Sequence, residues 1–345
     1  MIQARHRNTC MALFLTVFIA PIKCSSEPQA DWVERFRRPT NLSAESVPIR
    51  DSAKIPAANV APLRELGRLL FFEPRLSASG LMSCATCHNP SLHWTDGLRS
   101  SVENVMRRSM SLYNLAWDKS FTWRGGPGSI TSQGIIALSA PRGMNGGVRV
   151  LENGIAKIPA YQQAFTAAYT GYLPEPEVIA LSRVTLALEV FTNSIISPMA
   201  PFDRWIAGDQ SALTPEQVRG FELFRNKAGC ATCHDGWRFT SDSYHDIGLI
   251  SGDSERDSKG QLSPFFKAVG LRNIADRPPY MHDGSIDSLQ DVVAFYNRGG
   301  DSARQTKSPL IRQLSLSAKE QADLVAFLRS LSGQPEPVTL PVLPR

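Results

Sequence analysis

Two short motifs in this chain place cysteine and histidine at a spacing that permits covalent attachment of a cofactor. Each motif reads Cys-Ala-Thr-Cys-His, at residues 84–88 and again at residues 230–234. In a C-x-x-C-H motif the two thiols add across the vinyl groups of haem, and the histidine binds the iron from one side. The predicted attachment residues are Cys84, Cys87, Cys230 and Cys233, and the predicted iron ligands are His88 and His234.

Other uses of paired cysteines explain the pattern less well. A zinc site would need further cysteine or histidine ligands at matching spacing. The remaining histidines do not supply two such sets; they are His6, His93, His245 and His282. A disulfide or a redox-active dithiol gives no reason for histidine directly after each pair, twice. The sequence therefore predicts two covalently bound haem c groups.

The chain repeats the order of a helix followed by C-x-x-C-H after 146 residues, which indicates duplication of a haem-binding module. The helix before the first motif is expected to start near Pro62, because proline suits the first helical turn. Its apolar face is expected to be Leu63, Leu66 and Leu70. The helix before the second motif has a capping box, Thr214 to Gln217. A further apolar-striped helix is predicted over 175–196.

The last predicted helix is capped by the segment from Ser317 to Glu320. Its predicted apolar face consists of Leu324, Phe327, Leu328 and Leu331. We find no convincing sheet, so a mainly α fold of two class I cytochrome c-like domains is expected.

The N-terminus has the pattern of a secretory signal peptide. Arg5 and Arg7 precede an apolar run from Met11 to Ala20, which is too short to span a bilayer. We therefore expect a periplasmic protein without stable membrane insertion. The expected organisation is a signal peptide at 1–26, an extended lead-in at 27–60, an N-terminal peroxidatic haem domain at 61–197, a linker at 198–213 and a C-terminal electron-transfer haem domain at 214–335.

The charge of the chain gives no indication of nucleic-acid binding. The formal net charge is +5, and three of the basic residues lie within residues 1–26, which hold no acidic residue. The rest of the chain therefore carries only +2, and haem propionates would lower this further.

Three further segments carry a resemblance to a known family. They are LGRLLFF at residues 66–72, GLRNI at 270–274 and PYMHDG at 279–284. With the paired haem motifs, they make the chain similar, over about residues 60–332, to the bacterial dihaem cytochrome c peroxidases and their MauG-type relatives. The resemblance implies two haem domains that face each other, hydrogen peroxide as a substrate and an electron-donor protein as a partner.

The resemblance also implies roles for two aromatic residues. Trp123 stands where the family has a tryptophan between the haems. Tyr296, fourteen residues after His282, stands where the peroxidases have an axial methionine and MauG-type proteins a tyrosine. A phenolate ligand favours ferric iron, whereas a thioether favours ferrous iron. Tyr296 as a core residue is the alternative, and Met281 lies too close to the motif to be the first choice of ligand.

At the N-terminal haem the resemblance implies His88 as the sole protein ligand, with space left for peroxide. Gln133 fits the distal glutamine of the family. The glutamate expected ten residues later is replaced by Gly143, which cannot move a proton. Either Gln133 and water suffice, or Arg142 assists by its charge, or peroxide is a poor substrate.

The family also binds a calcium ion between the haems, partly through backbone carbonyls. Pro279 matches one contributor, Arg277 stands where threonine is usual, and the expected asparagine near Arg108 is not evident. His245 matches a recurrent family segment and is interpreted as structural or as supporting the haem site.

Three functions remain open at this point. The first is a MauG-type oxidase that draws electrons from a partner protein through the C-terminal haem, and Tyr296 favours it. The second is a conventional peroxidase supplied by a small cytochrome or a cupredoxin. The third is a non-enzymatic electron carrier, which Gly143 favours.

Overall fold

The computed structural model describes residues 29–43, 47–48, 55–101, 107–141, 143–173, 179–250 and 263–345, so the predicted signal peptide lies outside the described residues. Within these ranges the helices are Gln29–Phe36 (α1), Ala57–Phe71 (α2), Cys84–Cys87 (α3), Ile130–Ser139 (α4), Val148–Asn153 (α5), Pro159–Tyr169 (α6), Leu181–Asn193 (α7), Pro201–Ile206 (α8), Pro215–Arg225 (α9), Leu289–Asn297 (α10) and Ala318–Arg329 (α11). The strands Tyr244–His245 (β1) and Phe266–Lys267 (β2) form one short antiparallel pair. The prediction of a mainly α fold is confirmed.

Each haem motif lies beside its own hydrophobic core. The first core contains the predicted apolar face of α2, namely Leu63, Leu66 and Leu70, which are at most 2% exposed. The second core contains the predicted face of α11, including Leu324, Phe327 and Leu328. Each such side chain contributes about 1.5–3 kcal/mol when it is fully buried. The spacing of apolar residues therefore correctly predicted which faces of α2 and α11 are buried.

The duplication is visible in how the helices cross. In the first core Gly67 of α2 lies so close to α7 that a Cβ atom would stand 2.0 Å from the Ala187 carbonyl oxygen. In the second core Gly220 of α9 lies as close to α11, where a Cβ atom would stand 2.0 Å from the Asp323 carbonyl oxygen. Glycine costs helix stability in both places. Both glycines are required because the backbones are in contact at the crossing.

Helix α2, which precedes the first haem motif, begins earlier in the chain than the position of Pro62 suggests. We expected a start near Pro62, but α2 begins at Ala57 and Pro62 lies inside it. The first turn is held by a tertiary contact, since the Asn59 side chain donates to the carbonyl oxygens of Ala168 and Thr170, both at 3.0 Å. Local helix signals do not report such a contact.

Two segments that were expected to be irregular are partly helical. The lead-in at 27–60 contains α1, and the linker at 198–213 contains α8. Both helices pack on the second core: the ring of Trp32 lies 5.3 Å from that of Phe221, and the ring of Phe202 lies 4.9 Å from it. The physical reason is aromatic burial against residues distant in the sequence.

We call the part of the chain with the first motif and the first core the N-terminal half, and the part with the second motif and the second core the C-terminal half. The last residues of the chain run back over the N-terminal half. Arg68 donates to the Thr339 carbonyl oxygen at 3.1 Å, and Arg75 donates to that of Pro344 at 2.7 Å. The C-terminal segment therefore ties the two halves together. Among the described residues, no helix has the length and apolar character needed to cross a bilayer.

Candidate functional site

The first motif forms a short helix with its histidine at the end. Ser83 caps α3, with the Ser83 amide donating to the Thr86 hydroxyl at 3.0 Å, and His88 follows the helix directly. The His88 Nδ1 lies 3.3 Å from the carbonyl oxygen of Trp94. Because a carbonyl can only accept, Nδ1 carries the proton and Nε2 keeps a free lone pair. Burial lowers the pKa of His88, so the ring is neutral, as an iron ligand must be.

The second motif repeats this arrangement. The His234 Nδ1 lies 3.0 Å from the Phe239 carbonyl oxygen, and burial also lowers the pKa of His234. The Cys233 sulfur lies 3.3 Å from the Nε2 of His245, which is 2.7 Å from the Ser243 hydroxyl. Each half of the chain therefore presents two thiols that form no disulfide and one oriented imidazole.

A large cavity opens beside the second motif and reaches the interface with the N-terminal half. One wall carries the two thiols and the imidazole, and the remaining walls are mostly apolar; lining residues include Cys230, Cys233, His234, Leu271, Ile274, Val293, Leu314, Leu324 and Leu328. Haem needs this combination of attachment sulfurs, a nitrogen ligand and apolar walls. The residues present fit a haem c group.

Tyr296 lies on the wall of this cavity, near the C-terminal end of α10. Burial raises the pKa of Tyr296, and the thiols of Cys230 and Cys233 raise it further. The ring also packs against the second core, as the alternative interpretation expected. Met281 lines the same cavity, so both candidate ligands for the C-terminal haem reach it.

Trp123 lies where the N-terminal half meets the cavity. Its Nε1 donates to the Arg108 carbonyl oxygen at 2.9 Å, and its own carbonyl oxygen accepts from the Lys267 amide at 2.8 Å. The ring is 6.4 Å from that of His282, which stacks on Phe266 at 3.5 Å. The rings of Trp123, His282 and Phe266 therefore form a series along the cavity wall. The sequence analysis used His282 only as part of a family motif and did not predict this contact.

The predicted peroxide residues lie on and after α4. Ser129 caps this helix, and its hydroxyl accepts from the Ser132 amide at 3.1 Å. The Gln133 Oε1 is buried and has no hydrogen-bond partner in the described part of the chain. Buried acceptors in folded proteins nearly always have a partner, so this oxygen is a candidate to accept a hydrogen bond from a bound molecule or water. Gly143 is buried, and Arg142 lies outside the described residues.

The predicted calcium carbonyls are engaged by a side chain. The guanidinium group of Arg108 donates to the Pro279 carbonyl oxygen through Nη1, and to that of Arg277 through Nη2 at 3.0 Å. These carbonyls are therefore not open to a metal ion as the resemblance implied.

Sequence reasoning missed a buried cluster of charges at the interface. Lys267 Nζ lies 2.6 Å from Asp118 and 3.1 Å from Asp242, and Arg238 pairs with the same two carboxylates. The Lys267 side chain is 0% exposed. No motif marks these residues, and only the fold brings Asp118 to the other three.

Comparisons with known proteins agree with this geometry. A family described as di-haem cytochrome c peroxidase matches residues 61–211, and one described as cytochrome c matches residues 217–332. The methylamine utilization protein MauG of Methylorubrum extorquens is 41% identical over 94% of this chain and 91% of its own length. The chain belongs to the dihaem cytochrome c peroxidase and MauG family.

Two further relatives support the membership. The MauG protein of Methylophilus methylotrophus is 36% identical, covering 90% of this chain and 92% of its own. A solved structure of a MauG-like protein associated with microbial copper homeostasis matches with a TM-score of 0.72 and 26% identity, over 86% of this chain and 95% of that one. As a member of the dihaem peroxidase and MauG family, the chain is a dihaem oxidoreductase with two haem c groups, and the family uses peroxide together with an electron-donor protein.

Proposed function

We propose that this chain is a MauG-type enzyme that uses hydrogen peroxide and draws electrons from a partner protein through its C-terminal haem. The observation that carries the proposal is Tyr296 on the wall of the cavity that also holds Cys230, Cys233 and His234. A conventional peroxidase would need a thioether in that role, and the position fourteen residues after His282 offers a phenol instead.

The haem groups would be held by the two motifs. Cys84 and Cys87 would attach the first group and His88 would bind its iron; the second motif would act in the same way through Cys230, Cys233 and His234. Haem supplies the reaction with peroxide and the exchange of electrons. The hydrogen bonds from Nδ1 to the Trp94 and Phe239 carbonyls hold both imidazoles in the tautomer that can bind iron.

The residues around the first group would position peroxide and conduct electrons. The unpartnered amide oxygen of Gln133 can accept a hydrogen bond from peroxide and so orient it. Trp123, held at its Nε1 by Arg108, offers an aromatic step between the halves. Arg142 is retained as a candidate for charge stabilisation next to Gly143, which supplies no proton carrier.

A second candidate function, that of a non-enzymatic electron carrier, is favoured by the same glycine. A positioned acid or base contributes roughly 10²–10⁴-fold to proton transfer, and Gly143 lacks one. In either function we place the protein in the periplasm. The partner would be a small cytochrome, a cupredoxin or a protein whose side chains are oxidised.

The test replaces the proposed ligand in the holoprotein. Tyr296→Phe removes the phenol oxygen and leaves the ring. Tyr280→Phe is the matched control, because Tyr280 lines the same cavity and is 6% exposed. Electron paramagnetic resonance and electronic absorption spectra of the oxidised proteins report the ligand set of each haem. Stoichiometric peroxide is then added to each protein.

Loss of one low-spin ferric signal in Tyr296→Phe, but not in Tyr280→Phe, is the expected result, together with altered peroxide products. Spectra of Tyr296→Phe identical to those of the wild type would remove the phenolate ligand and, with it, the MauG-type assignment. If the wild type does not react with peroxide at all, the electron carrier is the better description.

A further inference from the structure

Arg108 lies at the interface between the two halves, where it contacts Arg277, Pro279 and His282. It is 7% exposed, and both its main chain and its side chain form hydrogen bonds with other segments of the chain. Its amide donates to the His282 carbonyl oxygen at 3.0 Å, and its carbonyl oxygen accepts from Trp123 Nε1 at 2.9 Å. Its guanidinium group binds the carbonyls of Arg277 and Pro279. One residue therefore connects Trp123, His282 and the loop before His282.

The carbonyls that Arg108 binds are the ones that the family resemblance implies for calcium. A calcium ion would need oxygen ligands at about 2.3–2.6 Å, six to eight in number. The guanidinium nitrogens already fill the space in front of two of these oxygens. An ion and the guanidinium group cannot both approach them.

The charge around the site also disfavours a divalent cation. Arg277 is buried beside Arg108, and its pKa is lowered to about 10, by burial first and by Arg108 second. Asp96 and Asp276 are the carboxylates whose charge acts on the two arginines. Within the described ranges, no group of three or more histidine, cysteine, aspartate or glutamate residues is arranged to hold a metal ion. The residues present do not fit calcium.

We propose that the guanidinium group of Arg108 replaces the calcium ion of the family as a built-in cation between the haem domains. Two of its nitrogens donate hydrogen bonds to the carbonyl oxygens of Arg277 and Pro279, so its positive charge bridges these backbone oxygens as a bound cation would. Because it is covalently part of the chain, it cannot be removed by a chelator. Arg108 is thus a positioning residue for Trp123 and His282, and the proposal is independent of the identity of the haem ligand at Tyr296.

The experiment compares the holoprotein with two variants that carry the same substitution. Arg108→Asn shortens the side chain to one that can bind an ion and frees both carbonyls. Arg99→Asn is the control, because Arg99 also reaches the C-terminal half, through Asp287, but at a surface where the two side chains are 60% and 64% exposed. Each protein is treated with EGTA, and calcium chloride is then titrated back. Calorimetric binding, thermal unfolding and the haem absorption spectrum are recorded.

The wild type and Arg99→Asn are expected to show no saturable calcium binding and no change in unfolding temperature or haem spectrum with EGTA. Arg108→Asn is expected to unfold at a lower temperature in EGTA. It should then bind one calcium ion, with a Kd of about 10⁻⁴–10⁻³ M as in extracellular modules, and recover stability. Only a latent cation site produces this rescue, because a general loss of packing does not respond to calcium.

Two results would overturn the proposal. One is a wild type that holds one calcium ion per chain and changes its haem spectrum in EGTA. The other is Arg108→Asn holoprotein that binds no calcium. If Arg108→Asn yields no holoprotein, Arg108→Lys takes its place: a compact ammonium group cannot fork to two carbonyls. Calcium should then stabilise the lysine variant and not the wild type, and equal responses of the two proteins would refute the replacement.

Discussion

Replacing Lys267 by methionine tests whether the buried charge cluster holds the two halves together. Lys267 Nζ lies 2.6 Å from Asp118, which belongs to the N-terminal half, and 3.1 Å from Asp242 in the C-terminal half. It also donates to the Ser120 carbonyl oxygen at 2.8 Å. Methionine has a similar length and fills the same space without charge. The substitution therefore removes one cation and leaves Arg238 to balance two carboxylates.

The expected loss follows from the burial of the partners. The side chains of Lys267, Asp242 and Asp118 are 0%, 2% and 14% exposed, so water cannot replace the lost cation. Breaking a buried ion pair on one side costs about 3–5 kcal/mol in free energy of unfolding. At about 2–4 °C per kcal/mol for domains of 150–250 residues, Tm should fall by roughly 6–20 °C.

The loss should depend on pH in a defined direction. Burial raises the pKa of Asp118, and Lys267 is the first group that counters this rise. Without Lys267 the folded-state pKa rises further above the unfolded value of about 3.9. A raised pKa means that the folded state binds the proton more tightly, so stability falls as pH rises through that pKa. The deficit of Lys267→Met relative to the wild type should therefore shrink as the pH is lowered from neutrality towards the unfolded-state pKa of about 3.9.

Thermal unfolding and urea-induced unfolding of the holoproteins, both followed at the Soret band, measure the fall in Tm and the pH dependence of the free energy of unfolding. The matched control is Lys227→Met, in which the lost partner is Glu320 at 2.7 Å and both side chains remain substantially exposed. It should cost far less, because solvent screens such a pair. Equal losses in the two variants, or a deficit that grows as the pH falls, would refute the assignment of the cluster as a buried electrostatic link.

Two further predictions concern the haem sites. Cys87→Ala should abolish or severely impair attachment at the first motif, so mass spectrometry of protein made with a cytochrome c maturation system should show one covalent haem instead of two; two haems in the variant would contradict the attachment chemistry. Gly143→Glu should speed the reaction with hydrogen peroxide by up to roughly 10²–10⁴-fold in stopped-flow mixing, because a carboxylate can relay the proton. A fast wild type that the variant does not improve would mean that another group moves the proton.

The sequence was informative where the chemistry is local. Both haem motifs, the capping boxes at Thr214 and Ser317 and the apolar faces of α2 and α11 follow from residues that lie close together in the chain. The resemblance to the family added Trp123 and Tyr296, and both lie on the wall of the cavity. Their proposed roles stay predictions until the variants are measured.

The parts that sequence reasoning missed depend on contacts between distant segments. Helix α1 is short, and its Trp32 packs on Phe221, which is 189 positions later in the chain. An isolated helix of that length has too few hydrogen bonds to be stable alone, so no local signal predicts it. The buried cluster is similar, since Asp118 and Lys267 are 149 residues apart.

The replacement of calcium was hidden for a different reason. A carbonyl oxygen belongs to every residue, so the sequence does not show which carbonyls converge. Pro279 could be matched to a calcium contributor, but nothing in the sequence indicates that Arg108 reaches the same oxygen. The asparagine that the resemblance leads us to expect near Arg108 is not evident, which suggests a lost site. Only the structure indicates that the arginine takes over its contacts.

Arg108 and Lys267, the two buried cations at the interface, position Trp123 through hydrogen bonds of their main-chain atoms and not through contacts of their charged groups. The Arg108 carbonyl oxygen accepts from Trp123 Nε1, and the Lys267 amide donates to the Trp123 carbonyl oxygen. Each cation anchors its own backbone segment by side-chain contacts on the other half of the chain: Arg108 through Arg277 and Pro279, Lys267 through Asp118. The position of the indole therefore depends on ionic and hydrogen-bonding contacts that the Arg108 and Lys267 side chains make elsewhere, while only main-chain atoms of these two residues bond to Trp123. Substitution of Arg108 or Lys267 can therefore displace Trp123 while both haem motifs stay intact. Such variants would test the proposed electron-transfer role of Trp123 separately from haem attachment.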